Sequence, residues 1–213
     1  MAAPKAFLID VYDTLLTCDF GVHHNGMSAL AGVTARDWND GYAQVELALN
    51  EGRLSVAQGI EQMLLACGAQ PAPELVRELV RREREMLFAA ARLYDDAIPF
   101  LELLRSRGVP TAIVSNCNES TRPLLSALGI DALVDKLVLS CEVGSAKPSA
   151  RIYRRALAEL GMPAEATVFV DDQPGYCAGA TALGITAVQI ARGETAGITG
   201  TVRSLLDLEA LLD

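Results

Sequence analysis

The sequence predicts an α/β fold in which a Rossmann-like parallel sheet has helices on both faces and carries an inserted all-helical cap. Short apolar runs of strand length alternate with helical patterns along most of the 213 residues, which is typical of parallel strands joined by crossover helices. One long stretch breaks this alternation and shows helical patterning alone. In addition, polar residues follow the apolar runs at the points where strands would end.

Five apolar runs are predicted strands because each is short, rich in β-branched residues and bounded by polar residues or glycine. They are residues 6–9, 111–114, 137–139, 167–170 and 186–190. The helical patterns between them have their own boundary signals, such as Pro148 in a first turn and Gly161 after a last turn. Ser204 is predicted to cap a final helix.

Residues 16–94 are predicted to form the cap, and residues 1–15 and 95–213 the α/β core. The cap stretch contains a capping-box pattern, Ser55 with Gln58, before an amphipathic helix. Open α/β sheets bind ligands at the carboxyl ends of their strands, so an insertion after the first strand is expected to cover that site. The charged run at residues 81–85 is interpreted as a solvated helix face.

Charge and hydropathy exclude several classes of protein. A net charge of −9 and a pI near 4.8 argue against a nucleic-acid-binding protein, which needs clustered lysine and arginine. No apolar run approaches the roughly 20 residues of a membrane span, and the start of the chain lacks the apolar core of a signal peptide. We therefore expect a cytoplasmic protein with no membrane or nucleic-acid partner.

Cysteine and histidine usage narrows the chemistry further. The five cysteines are scattered without a Cys-x-x-Cys pair, which indicates reduced thiols and no structural zinc. His23 and His24 are the only histidines, and neither lies near a nucleophile-elbow pattern. They are interpreted as solvated loop residues.

Polar residues follow four of the predicted strands. Asp10 follows the first, Ser115 and Asn116 end the second, Lys147 comes after the third, and residues 171–172, both aspartates, end the fourth. Together they would bring carboxylates, a hydroxyl, an amide and an ammonium to one sheet edge, a set suited to a transferring phosphoryl group. The sequence thus predicts a small, anionic substrate at this edge.

The chemistry of these groups suggests their roles. Carboxylates at the ends of the first and fourth strands are expected to hold one Mg²⁺, which prefers oxygen ligands. Asp10 would bind the metal through one oxygen and attack the substrate with the other. Ser115 and Lys147 would bind the peripheral oxygens of the substrate.

These segments resemble the four ordered motifs of the haloacid dehalogenase-like hydrolases. They are Phe7-Leu-Ile-Asp10 with Thr14, Ile113-Val-Ser115-Asn116, Lys147-Pro148, and Val168-Phe-Val-Asp171-Asp172. The resemblance implies that Asp10 is the nucleophile, Ser115 a substrate ligand and Lys147 a stabilising cation. It also implies that Asp172 is a magnesium ligand supported by Asp171, that Tyr12 contributes its backbone carbonyl to the metal, and that Tyr12, Thr14 and Asn116 contact the substrate.

Motif one departs from the phosphatase pattern of this family. Phosphatases that it resembles carry an acid/base aspartate where this chain has Tyr12, and a phenol with a pKa near 10 is a poor base near neutrality. Asp13 occupies the usual glycine position and is expected to point elsewhere. The 2-haloacid dehalogenases of the family show an aromatic residue at position 12, and they bind halide with a cap arginine, for which Arg36 is a possible counterpart.

Three interpretations therefore remain open from the sequence. The favoured one is a magnesium-dependent phosphatase that forms an aspartyl-phosphate on a small phosphorylated metabolite. The second is a 2-haloacid dehalogenase with an aspartyl-ester intermediate, although its carboxylate pair would repel an anionic haloacid in the absence of metal. The third is a non-catalytic binding or regulatory member of the family.

Overall fold

The structure is a computed structural model that describes residues 6–192 and 201–212. The strands along the chain are β1 (Ala6–Ile9), β2 (Leu16–Cys18), β3 (Ala91–Leu93), β4 (Thr111–Ser115), β5 (Lys136–Leu139), β6 (Thr167–Asp171), β7 (Thr186–Ile190) and β8 (Thr201–Val202). Six of them form one parallel sheet in the order β5-β4-β1-β6-β7-β8. Residues 1–5, 193–200 and 213, which the sequence assigns to the core, lie outside the described residues.

All five predicted strands are confirmed in this sheet. β1, β4 and β6 lie at its centre and are buried along their whole length, which explains their unbroken apolar runs. β8 was not predicted, because a strand of two residues carries no periodic signal.

Helices cover both faces of the sheet, as predicted. The helices along the chain are α1 (Phe20–Ala31), α2 (Ala35–Asn50), α3 (Val56–Ala66), α4 (Pro73–Ala90), α5 (Ala97–Ser106), α6 (Thr121–Ala127), α7 (Ser140–Val143), α8 (Ala150–Leu160) and α9 (Pro174–Thr181). Two 3₁₀ turns add Ala164–Ala166 and Leu205–Leu211, and Ser204 caps the latter. Within the described residues, no helix combines the length and hydropathy that crossing a membrane requires.

The two faces of the sheet are buried by different helices, since side chains alternate along a strand. Phe7 of β1 packs edge-on against Phe100 of α5, with ring centroids 5.6 Å apart. Its neighbour Leu8 belongs to the cluster on the other face, where Tyr153 of α8 packs edge-on against Phe169 at 5.3 Å. Burial on both faces fixes the strands, and with them the residues that follow their carboxyl ends.

α1 to α4 form a helical insertion, residues 20–90, between the first strand and the rest of the core. The insertion has its own hydrophobic cluster, which includes Met27, Trp38, Val45, Ile60, Met63 and Leu79. The predicted capping box at Ser55 and Gln58 is present at the start of α3. Gly52, with φ of 63°, lets the α2–α3 turn approach the core so closely that a Cβ there would lie 1.9 Å from the Cys141 carbonyl oxygen.

The prediction that residues 16–94 contain helices alone is wrong. β2 and β3 pair in an antiparallel ladder that joins Leu16 to Leu93 and Cys18 to Ala91. Strands of three residues are too short to show alternation, so the sequence pattern did not reveal them. This ladder carries the chain into and out of the insertion.

Candidate active site

The carboxyl ends of neighbouring strands bring the predicted catalytic residues together. β1 lies between β4 and β6, so Asp10 comes next to the residues that end these two strands. Each of Asp10, Asp171 and Asp172 offers a carboxylate oxygen, and these oxygens lie within 4.8 Å of one another. The predicted convergence of motifs is therefore present.

Lys147 is buried between two of these carboxylates. Its Nζ lies 2.7 Å from Asp10 Oδ1 and 2.6 Å from Asp171 Oδ2, and its side chain is 1% exposed. Burial alone would lower the pKa of Lys147, but the combined attraction of the two carboxylates outweighs it and raises the pKa. Lys147 therefore keeps its positive charge and fixes the position of Asp10.

Asn116 holds the backbone of Lys147 in place. Its Nδ2 donates to the Lys147 carbonyl oxygen at 2.9 Å, and its Oδ1 accepts from the Lys147 backbone N–H at 2.6 Å. Although Asn116 was predicted to contact the substrate, and does line the cavity over the site, this pair of hydrogen bonds gives its side chain a positioning role.

The carboxylate cluster carries more negative charge than Lys147 can balance. Burial, followed by the charge of Asp10, raises the pKa of Asp171 to about 7 even though Lys147 opposes the shift. Burial and the charge of Asp10 also raise the pKa of Asp172. Because close carboxylates with hard oxygen donors are suited to Mg²⁺, the donor set fits the predicted cofactor.

Asp171 and Asp172 have different surroundings. Asp171 is fully buried, pairs with Lys147 and accepts from the Gln173 backbone N–H at 2.7 Å. Asp172 lines the cavity and accepts from the Gln173 side chain. Of the two, Asp172 is the one that is open to the cavity, and its role as a metal ligand supported by Asp171 stays a prediction.

Tyr12 directs its hydroxyl away from the carboxylates. The hydroxyl lies 2.9 Å from Thr121 Oγ1, and the ring packs against Phe20 with centroids 5.4 Å apart. Burial is the main cause that raises the pKa of Tyr12 far above its ordinary value. The phenol therefore stays protonated and does not act as a general base.

Asp13 differs from the prediction that it points away from the site. Its φ of 53° makes it the single non-glycine residue with a left-handed backbone in the described part of the chain, which agrees with its place at a glycine position. Asp13 is nevertheless among the residues that line the cavity. Asp13 thus adds a carboxylate on the substrate side.

Two buried hydroxyls have no hydrogen-bond partner among the described residues. They belong to Ser115 at the end of β4 and Thr14 after β1, and both residues are fully buried. An unsatisfied buried hydroxyl in a native fold calls for an explanation. Neither residue is among those that line the cavity over the carboxylates, so contact of these hydroxyls with a phosphate oxygen stays a prediction.

Arg36 is not brought to the site. Its side chain is 89% exposed on α2 and lies 3.7 Å from Asp40 one turn later. The spacing of these two residues is that of a solvated helix pair, so the structure gives no support to Arg36 as a substrate ligand.

A cavity of about 410 Å³ lies between the carboxylates and the helical insertion. Its lining includes His23 and His24, which were interpreted as solvated loop residues but lie on α1. This interpretation is wrong for His23, which is 8% exposed. The two histidines are adjacent and no marked apolar periodicity surrounds them, so no local pattern indicates this position.

Glu83 also lines the cavity, although the charged run that contains it was interpreted as solvated. It is buried and accepts hydrogen bonds from Ser120 Oγ at 2.7 Å and from Asn118 Nδ2 at 3.4 Å. Burial is the main cause that raises its pKa. The signal was available, since Glu83 stands four residues from both Leu79 and Leu87 on the buried face of α4.

A sequence profile of the haloacid dehalogenase-like hydrolases matches residues 4–184. The protein belongs to this family. The resemblance inferred from the four motifs is thereby confirmed, and the chain is a hydrolase of the haloacid dehalogenase-like class.

Relatives within the family have more than one activity. A glyceraldehyde 3-phosphate phosphatase of Methanopyrus kandleri is 30% identical over 198 residues, which cover 89% of this chain and 85% of the relative. A phosphatase of Mycobacterium tuberculosis is 36% identical over 139 residues, 64% of this chain and 62% of the relative, so this alignment spans less than two thirds of that protein. A (S)-2-haloacid dehalogenase of Pseudomonas sp. is 26% identical over 88% of this chain and 85% of its own length.

Solved structures share the fold. A phosphatase of this family from Thermococcus onnurineus superposes with a TM-score of 0.70 at 24% identity, over 98% of this chain and 97% of its own. A family enzyme from Bacteroides thetaiotaomicron, crystallised with magnesium and inorganic phosphate, superposes with a TM-score of 0.73 at 18% identity. The superposition covers 92% of this chain and 98% of that enzyme.

Proposed function

We propose that the protein is a magnesium-dependent phosphatase that hydrolyses a small phosphate monoester through a phosphorylated Asp10. The observation that carries this proposal is the cluster of Asp10, Asp171 and Asp172, whose carboxylate oxygens lie within 4.8 Å of one another beside a single ammonium. Such an excess of negative charge would repel a phosphate unless a cation were bound there. The phosphatases among the relatives support the same reaction.

In this proposal Asp10 and Asp172 would hold Mg²⁺ together with the Tyr12 carbonyl, and Asp171 would support them through Lys147. The bound metal would supply positive charge against the phosphoryl oxygens. Lys147 orients the Asp10 carboxylate through the 2.7 Å ion pair. The hydroxyls of Ser115 and Thr14, which have no partner among the described residues, would donate to phosphate oxygens bound at the strand ends.

Two displacements complete the reaction. An Asp10 oxygen forms a bond to phosphorus as the bond from phosphorus to the alcohol oxygen breaks, and the leaving oxygen takes up a proton. Water then attacks the same phosphorus, gives up a proton, and releases inorganic phosphate with the Asp10 carboxylate restored.

Asp13 takes the acid/base role that Tyr12 cannot fill. Its left-handed backbone and its place on the cavity wall support this assignment. It would donate the proton to the leaving oxygen and accept one from the attacking water. The helical insertion, which forms the opposite wall, acts as the cap that excludes bulk water.

Dehalogenation is the second candidate, because an aromatic residue stands at position 12 and a relative has this activity. The cluster of three carboxylates argues against a dehalogenase that works without metal, since the charge of a haloacid would then be opposed by the cluster, and Arg36 is exposed rather than at the site.

The decisive experiment measures phosphate release from p-nitrophenyl phosphate with and without Mg²⁺, and chloride release from 2-chloropropionate, with Asp10→Asn as the blank. We expect magnesium-dependent phosphate release alone. Chloride release without metal would replace the phosphatase proposal with dehalogenation, and no release of either ion would favour a binding role.

A further inference from the structure

The wall of the cavity that belongs to the helical insertion is aliphatic and aromatic. Trp38 and Tyr42 of α2 contribute rings, and Ile60 and Met63 of α3 contribute aliphatic side chains. These groups face the side of the site on which the organic part of a phosphate ester would lie. A surface of this kind stabilises apolar groups by removing them from water.

No lysine or arginine among the described lining residues is available to pair with a second anionic group of the substrate. Among the described residues that line the cavity, Lys147 is the only lysine or arginine, and its ammonium is already shared by Asp10 and Asp171. Glu46 at the exposed rim and Glu83 further in add negative charge on the insertion side. A carboxylate or second phosphate on the substrate would therefore be desolvated among like charges.

A cationic organic group on the insertion side would have to share a carboxylate that is already hydrogen-bonded or exposed to solvent. Glu83 already accepts from Ser120 and Asn118, and Glu46 is at the solvent-exposed rim rather than among the aliphatic side chains. Burying an ammonium among those aliphatic groups would cost free energy without a paired carboxylate.

His23 is a buried polar side chain of this wall with no well-formed hydrogen bond. It is 8% exposed, neither ring nitrogen has a partner of ordinary hydrogen-bond geometry among the described residues, and a weak contact with the Glu83 backbone only partly opposes the loss of its charge. Burial, and then the neighbouring His24, lower the pKa of His23 to about 4, so its ring is neutral near pH 7. A neutral imidazole offers one donor and one acceptor, which a hydroxyl can satisfy together.

We propose that the substrate is a phosphate monoester whose organic group is uncharged and mostly apolar, with a hydroxyl or similar neutral polar group against His23. This inference rests on the phosphatase activity proposed above. It excludes bisphosphates, phosphorylated carboxylic acids and phosphorylated amines as good substrates.

The test compares four phenyl phosphates with the para substituents ethyl, hydroxymethyl, carboxymethyl and aminomethyl. The carbon between ring and functional group keeps the acidity of the phenol leaving group similar. We expect kcat/KM for the two uncharged esters to exceed that for the carboxymethyl ester by about 100-fold, and to exceed that for the aminomethyl ester as well. Preference for either charged ester would overturn the inference.

Two charge variants test whether the selectivity among these esters arises from the charges of the cavity. Glu46→Lys places a cation at the rim of the cavity, so it should raise the relative kcat/KM of the carboxymethyl ester by about tenfold. Glu61→Lys makes the same charge change on an exposed part of α3 that does not line the cavity, and should leave the selectivity unchanged. Equal effects of both variants would contradict a local origin of the selectivity.

The contact to His23 has its own test. His23→Phe should lower kcat/KM for the hydroxymethyl ester relative to the ethyl ester by about tenfold, and His23→Gln should restore part of the difference. If both esters respond equally in two folded variants, the polar contact is wrong. Failure of every ester, p-nitrophenyl phosphate included, would instead reject the phosphatase proposal itself.

Discussion

Lys147 pairs with Asp10 through one oxygen, Oδ1, so the carboxylate is held in one orientation before any substrate binds. We expect Asp10→Asn to lower turnover by about 10³-fold or more, because the amide is a poor nucleophile. The fold should persist, since the substitution removes one of three crowded negative charges. Phosphate release and circular dichroism measure these two outcomes, and substantial residual turnover in pure variant protein would contradict covalent catalysis by Asp10.

The two aspartates that end β6 should respond differently to neutralisation. Asp172 faces the cavity, so Asp172→Asn should weaken magnesium binding, by about 100-fold, in calorimetry. Asp171 is fully buried against Lys147, so Asp171→Asn should have less effect on magnesium and a larger effect on thermal stability. If Asp171→Asn lost more magnesium affinity than Asp172→Asn, Asp171 would be the metal ligand and Asp172 the supporting residue.

His23 should make stability depend on pH. Its pKa is about 4 in the folded protein and 6.5 in the free side chain, so between these values the unfolded chain binds the proton and the folded chain does not. The free energy of unfolding should therefore fall, by about 2 kcal/mol between pH 7.5 and pH 5 for this group. Glu83 titrates nearby with a raised pKa and opposes the trend.

Urea unfolding at these two pH values measures the effect. His23→Phe should remove this part of the pH dependence, whereas His24→Gln should keep most of it. Identical pH dependence in the wild type and in His23→Phe would show that His23 does not titrate as the structure implies.

At the scale of elements, α4 is attached to the core by Glu83, which accepts from Ser120 and Asn118. Glu83→Ala leaves these donors without their acceptor, so we expect it to lower the free energy of unfolding by about 1–3 kcal/mol. Glu85 lies on the exposed side of the same helix and pairs with Arg81 and Arg82. Glu85→Ala should change stability by about 0.5 kcal/mol or less, and equal losses in the two variants would contradict the role of Glu83.

The elements that the sequence predicted correctly are those with a strong local signal. β1, β4 and β6 are buried on both faces and form continuous apolar runs in the sequence, and the predicted catalytic motifs lie at their ends. β2 and β3 are three residues each and gave no signal. The prediction that Glu83 is solvated is wrong. Glu83 lies four residues from both Leu79 and Leu87 on the buried face of α4, but the charged residues next to it in the sequence suggested an exposed position.

At the scale of the whole molecule, the motifs predicted which residues meet at the sheet edge but not which residues form the opposite wall of the cavity. Asp10, Lys147, Asp171 and Asp172 follow strands whose order the fold class determines, so their convergence could be foreseen. The positions of His23 and Trp38 over the site depend on how the helical insertion packs against the core. That packing is tertiary, and no local pattern in one sequence specifies it.

The antiparallel ladder of β2 and β3 brings the two ends of the insertion next to each other, so the insertion could be replaced as one unit. Cys18 and Ala91 lie opposite each other as its last paired residues, which is the geometry of strands that a two-residue hairpin can join. The chain between them could be exchanged for a bare turn or a different helical unit without a change of register in the parallel sheet. If the insertion sets the proposed selectivity, we expect that replacing it at this ladder would change the selectivity and leave the carboxylate cluster in place.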